Sequence, residues 1–362
     1  MNHRQSDEER RILGPRGLMV ARSSRNHIPL TGILELTHRC NESCIHCYVV
    51  QPGKSSSEEL SSATWKDILG QLAKAGTMEV TFSGGEVFLR RDLFEILDEA
   101  RRLDFSIKVS SNATLVGDTE ADRLAELKPW EIGVSLYGAD AESHDRITTR
   151  NGSFNKTVSG IRRLTERGIR VKIRSVLMRE NIGQEERLAE LAESLGASFA
   201  QDPLLTPRSD GSRDNLIHRL SNNELRKSLI PELKRFSGPF DEKRWEELRQ
   251  IKLRDHLCKA GVNFFSIDPY GIVLPCVQFQ VPAGDLKTDS FMDIWKNSGI
   301  FLKLRKTVHA QIPGCNTCYL LPICFRCPGE ALLSDGDAFQ PSTYACMRSA
   351  LLDELRQSSR DD

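Results

Sequence analysis

Three cysteines, Cys40, Cys44 and Cys47, stand directly after the short apolar segment 33–37. The spacing Cys-x3-Cys-x2-Cys puts three soft thiolate ligands on one short loop, one fewer than a closed four-cysteine site requires. A [4Fe–4S] cube held by three cysteines leaves one iron without a protein ligand. An open metal position is where a substrate or cofactor binds, whereas a structural metal site is closed. The competing reading is a zinc knuckle completed by His46 or His38.

From residue 33 to 203, short apolar runs alternate with longer amphipathic stretches. Strands are predicted at 33–37, 78–83, 106–110, 131–137, 170–177 and 197–202. Helices are predicted at 63–75, 93–103, 118–127, 156–167 and 184–195, the first with Trp65, Ile68, Leu69 and Leu72 on one face. Gly76, Gly168 and Gly196 stand where helices should stop. Consecutive β-then-α units predict a parallel sheet with helices outside. Six units are two short of a complete barrel. The expected fold class is therefore α/β, a partial (β/α)6 TIM-type barrel followed by a small C-terminal α+β domain. In such barrels the working groups lie on loops at the C-terminal ends of the strands, which is where the cysteine triplet falls.

Composition narrows the setting. Fifty basic and fifty acidic residues cancel, so nothing favours a nucleic-acid or membrane partner. The opening residues 1–11 are polar, and no run approaches the length of a membrane span. The expected location is the cytoplasm, where ten cysteines point to metal ligands rather than disulfides. None falls between Tyr48 and Leu257, and seven follow. The expected organisation is an N-terminal arm at 1–28, the barrel at 29–240, a helical linker at 241–257 and a metal-held domain at 258–362. Helices are expected at 222–235 and 241–257.

Two further segments carry chemistry. Ser83-Gly84-Gly85-Glu86-Val87 follows the second strand; its glycines permit close backbone approach to a ligand, and Glu86 could accept from an ammonium group. An ordinary turn is the alternative. Ser110-Ser111-Asn112-Ala113-Thr114 ends the third strand, with a ribose contact or a capping turn as its two readings. In the tail, Cys258 is followed by twelve residues to Gly271 and four more to Cys276. Then come Cys315-x2-Cys318-x5-Cys324-x2-Cys327 and Cys346. A zinc ribbon would use the two Cys-x-x-Cys pairs but leave Cys258, Cys276 and Cys346 without a role.

The triplet after the first strand and the Gly84-Gly85-Glu86 turn after the second resemble the radical S-adenosylmethionine (SAM) superfamily. Its usual turn is Gly-Gly-Glu-Pro; Val87 replaces the proline here. Ser135-Leu136-Tyr137-Gly138 and His144-Asp145 are similar to further family segments, with Tyr137 in place of an aspartate. The tail resembles the SPASM extension of peptide maturases, although Cys327 arrives one residue early. The resemblance implies a SAM-binding [4Fe–4S] cluster at Cys40, Cys44 and Cys47. It implies SAM contacts from Gly84, Gly85, Glu86, Ser111, Asn112, Ser135, Arg174 and Asn181. It also implies two auxiliary iron–sulfur clusters of [4Fe–4S] type. Cys315, Cys318, Cys324 and Cys346 would close one, leaving Cys258, Cys276 and Cys327 for another with a non-cysteine open position.

The activity implied by the resemblance is reductive cleavage of SAM to a 5'-deoxyadenosyl radical and hydrogen abstraction from a ribosomally made precursor peptide, giving a crosslink, an epimer or a rearranged backbone. The implied partners are that peptide, a separate peptide-recognition protein and an external electron donor of flavodoxin or ferredoxin type. A recognition protein is expected because only about thirty residues precede the first strand, too few for a winged-helix domain. Oxidation of a small molecule such as a tetrapyrrole is the alternative. Sulfatase maturation is disfavoured, since Val277 stands where those enzymes carry an acid after the cysteine. A non-enzymatic iron–sulfur or zinc scaffold is the reading from a different class.

Overall fold

The computed structural model describes residues 3–50, 59–233 and 241–361. Six strands run in chain order across one parallel array: β1 (Thr31–Thr37), β2 (Glu79–Gly84), β3 (Ser106–Ser111), β4 (Glu131–Ser135), β5 (Val171–Val176) and β6 (Ser198–Asp202). Between them lie α2 (Ser62–Ala75), α3 (Leu93–Arg102), α4 (Asp118–Leu127), α5 (Ala141–Thr148), α6 (Ser153–Glu166) and α7 (Glu185–Ser194). The partial barrel expected from the alternation is present.

Local chemistry explains each unit. In α2, Ser61 caps the start by accepting from the Thr64 amide at 3.2 Å, and Gly76 ends the helix at φ 91°. Its buried face carries Trp65, Ile68, Leu69 and Leu72 onto the sheet. Burying each such side chain contributes about 1.5–3 kcal/mol. Alternate strand residues, such as Val80 and Phe82 or Ile107 and Val109, meet these helices. The opposite face of the strands is charged: Lys108 pairs with Glu79 at 2.8 Å and Arg174 with Glu131 at 3.0 Å.

The sheet does not stop at β1. Phe264–Ile267 forms β7, which pairs parallel with β1, and β8 (Ile272–Leu274) and β9 (Gly284–Asp285) extend it antiparallel. The nine-stranded order is β6-β5-β4-β3-β2-β1-β7-β8-β9. The cysteine-rich tail thus begins as a continuation of the barrel sheet and covers the backbone edge that β1 would otherwise expose. Gly32 makes room here, since a Cβ at that position would lie 2.5 Å from the Phe265 ring.

Before β1, residues His3–Asn26 form α1, interrupted at Gly14 (φ 64°) ahead of Pro15. Its end is tied to the tail by Asn263, which donates to Ser23 and Ser24 at 3.0 and 2.9 Å. The expected helix over 222–235 is present as α8 (Asn222–Leu233); its last two positions and the boundary at 240 lie outside the described residues. The linker helix is α9 (Glu242–Arg254), capped by Asp241. The tail adds α10 (Phe291–Asn297), α11 (Gly299–Lys306), α12 (Pro328–Asp335) and α13 (Thr343–Asp361). Of these, α13 runs for 19 residues. Its apolar residues Leu351 and Leu352 pack on α8 rather than on the sheet. No helix among the described residues is long and apolar enough to cross a membrane.

Candidate active site

The triplet loop leaves the C-terminal end of β1 and is clamped by the end of β2. The Gly85 amide donates to the Thr37 carbonyl at 2.7 Å and the Glu86 amide to the Arg39 carbonyl at 2.8 Å. A Cβ at Gly84 would stand 2.1 Å from the Thr37 oxygen, and one at Gly85 would stand 2.2 Å from the Arg39 oxygen. Gly84 also holds φ 134°, which side chains rarely adopt. The two glycines therefore let two backbones lie against each other beneath the cysteine loop.

Residues the sequence reading missed grip the other side. The Ser43 and Ile45 amides donate to the Thr148 and Ile147 carbonyls at the end of α5, a helix that was not anticipated. Arg208 donates to the Cys47 carbonyl at 2.9 Å and is itself held by both oxygens of Asp214. Asn215 donates to the His46 carbonyl at 3.3 Å. Both lie in a stretch that reads as plain polar loop, so no local signal marks them. Asn41 bridges to the β3 turn, accepting from Asn112 at 2.9 Å and donating to Thr114 at 2.8 Å.

These supports surround a cavity of about 220 Å³. Cys40, Cys44 and Cys47 line it with Gly84, Gly85, Ser111, Asn112 and Ser135. Three other expected contacts are placed elsewhere. Glu86 is fully buried behind the wall, accepting from Ser111 Oγ at 2.9 Å and from the Asn112 and Phe88 amides at 2.7 and 3.1 Å. Asn181 is also fully buried, donating to the Tyr137 and Val176 carbonyls at 2.9 Å and accepting from the Met178 amide. Arg174 lies on the charged strand face against Glu131. Glu86 and Asn181 brace the loops that form the cavity.

Further side chains line the cavity that were not anticipated as cofactor contacts, among them Glu42, His46 and Tyr137. Glu42 is buried within the triplet, and burial lifts its carboxyl to about 7, helped by the charge of Glu86. Burial holds His46 neutral at about 3. Tyr137 meets the His46 ring edge-on at 4.4 Å and hydrogen-bonds Ser135 through its hydroxyl. Among the described residues, no three His, Cys, Asp or Glu side chains converge closely enough for a single metal ion. An iron–sulfur cube, larger than one ion, holds its cysteines farther apart.

The thiols suit such a cluster chemically. Burial pushes Cys40 up to about 11 and raises Cys44 and Cys47. Buried thiols pushed upward ionise when they ligate a metal. The tail cysteines gather in two sets. Cys258, Cys276 and Cys327 act on one another electrostatically, burial pushing Cys258 to about 12 and Cys276 to about 11. Cys315, Cys318, Cys324 and Cys346 form the second set. Tyr319 and Phe325, which stand among these cysteines in the chain, are 47% and 59% exposed. Tyr319 leans on Trp245 and Phe325 on Arg348, so their packing partners lie on helices α9 and α13.

Residues 34–192 match the radical SAM superfamily, and residues 258–319 match SPASM, an iron–sulfur cluster-binding domain. The chain is 30% identical to mycofactocin maturase MftC of Mycobacterium tuberculosis over 302 residues, covering 80% of this chain and 75% of that protein. The chain belongs to the radical SAM superfamily. Other relatives include AdoMet-dependent heme synthase of Methanosarcina barkeri, 26% identical over 87% of this chain and 95% of its own length. PqqA peptide cyclase of Rhodopseudomonas palustris is 28% identical over 91% and 89%. Among solved structures, Streptococcus suis SuiB bound to precursor peptide SuiA shares the fold, with TM-score 0.68 at 17% identity over 91% of this chain and 80% of that one. The radical SAM match spans β1 to α7, the part of the chain that builds the cavity.

Proposed function

We propose that this chain is a radical SAM maturase of ribosomally made peptides. The observation that carries the reading is that peptide-modifying relatives align over nearly the whole chain, barrel and cysteine tail together: 91% of it for the PqqA cyclase. Cys40, Cys44 and Cys47 would hold the [4Fe–4S] cluster, and the cavity they line would receive SAM. When bound, the cluster supplies the electron that cleaves SAM to methionine and a 5'-deoxyadenosyl radical, which takes hydrogen from the peptide.

The chain's own residues bind, orient and exclude water. Gly84 and Gly85 bring bare backbone to the cavity wall, where the methionine end of SAM would meet it. Ser111, Asn112 and Ser135 present hydroxyl and amide groups to its polar atoms. His46, kept neutral by burial, and Tyr137 offer aromatic surface without charge. Glu86 and Asn181 act at one remove, fixing the turns after β3 and β4.

Cys315, Cys318, Cys324 and Cys346 would ligate one auxiliary [4Fe–4S] cluster. Cys258, Cys276 and Cys327 would ligate a second, with an open iron for water, a side chain or substrate. Residues 29–240 serve as the barrel, 241–257 as linker and 258–362 as the auxiliary-cluster domain, with 1–28 as an arm. The enzyme works in the cytoplasm with an external flavodoxin- or ferredoxin-type donor. A separate recognition protein would deliver the peptide.

The heme synthase relative supports the second reading, oxidation of a tetrapyrrole. One experiment separates them. Anaerobically reconstituted, reduced enzyme is incubated with SAM and either a precursor peptide encoded beside its gene or a propionate-bearing tetrapyrrole. We expect 5'-deoxyadenosine together with a mass change in the peptide only. A changed tetrapyrrole with an unchanged peptide would reverse the assignment, and colourless protein holding zinc would end both.

A further inference from the structure

Arg326 lies in the chain between Cys324 and Cys327, one from each tail set. Its side chain is 6% exposed. Nε donates to the Gln340 carbonyl at 3.0 Å, and Nη2 donates to the Ala338 and Gln340 carbonyls. These bonds aim the guanidinium and leave Nη1 buried without a partner. Among the described residues no carboxylate pairs with it. The guanidinium lies within electrostatic reach of four cysteines drawn from both sets, Cys315, Cys324, Cys258 and Cys327, and of Cys346 and His309.

A guanidinium buried without an anion is costly, and backbone carbonyls do not neutralise it. Thiolate-ligated iron–sulfur clusters carry net negative charge, and clusters held by the two cysteine sets would supply the missing anion. We infer that Arg326 is the shared counter-cation of the two auxiliary clusters, holding positive charge between them and raising the reduction potential of both. The inference rests on the reading that both cysteine sets bind clusters. Net charge and hydrogen bonding near the sulfurs are among the protein's levers on cluster potential. A cation between two clusters favours the reduced form of each and offsets part of their mutual repulsion when an electron passes between them.

The test is potentiometric titration of the full-length, reconstituted enzyme followed by electron paramagnetic resonance, with iron and sulfide counted in every sample. Arg326→Gln should lower the potentials of both auxiliary clusters while the SAM-binding cluster stays in place. The expected shift is at least tenfold in each reduction equilibrium, about 59 mV for one electron. Arg326→Lys should restore most of it, because the charge is kept. Loss of auxiliary iron in Arg326→Gln that Arg326→Lys recovers would support the same conclusion. Unchanged potentials with full iron content would overturn it, as would a shift in one cluster only or equal loss of iron in both variants. If the wild-type protein lacks auxiliary iron, the cluster reading itself falls, an outcome the iron count identifies separately.

Discussion

Ser111 Oγ donates to both carboxylate oxygens of Glu86, at 2.9 and 3.0 Å, in a site with no solvent on the carboxylate. A residue of the turn after β2 thereby fixes the turn after β3, and the two turns form adjacent walls of the cavity. Burial raises the Glu86 pKa, opposed by hydrogen bonds from Asn112, Phe88 and Ser111.

Glu86→Ala should strand the Ser111 hydroxyl and the Asn112 amide. Leaving each unpaired costs about 1–3 kcal/mol. We expect a lower melting temperature and weaker SAM binding by calorimetry, while iron bound by the tail cysteines is kept. Unchanged stability would show that the turn holds itself.

Gly84→Ala and Gly85→Ala should each force the cysteine loop off β2, because the new Cβ would fall 2.1–2.2 Å from a carbonyl oxygen. We expect destabilisation of more than about 2 kcal/mol, with iron lost from the triplet site. An iron assay on Gly84→Ala showing full loading and normal 5'-deoxyadenosine formation would contradict this.

The cysteine sets should separate by mutation. Alanine at Cys40, Cys44 or Cys47 should abolish 5'-deoxyadenosine formation but keep the auxiliary iron. Cys327→Ala should remove the signal of one auxiliary cluster and Cys346→Ala that of the other. Loss of the same signal in both variants would merge the two sets.

Arg174→Ala should leave SAM affinity unchanged within about twofold. Its guanidinium is half exposed and pairs with Glu131, a kind of surface pair worth about 0–1 kcal/mol. A large loss of affinity would place Arg174 back among the cofactor contacts.

Acidification should destabilise the fold through His144. Burial pulls its imidazole from 6.5 down to about 4, and the buried Nδ1 accepts from the Tyr137 amide at 3.1 Å. Above pH 6.5 both folded and unfolded forms are neutral. Between 6.5 and about 4 the unfolded chain takes the proton first, so stability falls by up to about 1.4 kcal/mol per pH unit. Melting temperatures measured from pH 7.5 to 4.5 should fall less steeply in His144→Asn than in the wild type.

Much of the scaffold was legible in the chain because its causes are local. The 3.6-residue pattern of Trp65, Ile68, Leu69 and Leu72 fits only an amphipathic helix, and it recurs between apolar strands until a parallel sheet must follow. The thiol spacing of Cys40, Cys44 and Cys47 is likewise carried by a few adjacent residues. Tertiary structure alone decided what Glu86 and Asn181 face, because their partners come from turns 25 and 44 residues away. It also decided that Arg208 and Asn215 reach the cysteine loop across 161 and 169 residues. Pattern reports which face of an element avoids water; a buried polar group is satisfied by whatever the neighbouring strands and loops bring within about 3 Å. For that reason the helices and the cysteine spacing could be read one segment at a time, while the braces of the cavity and the buried cation among the tail cysteines came into view only with the chain folded.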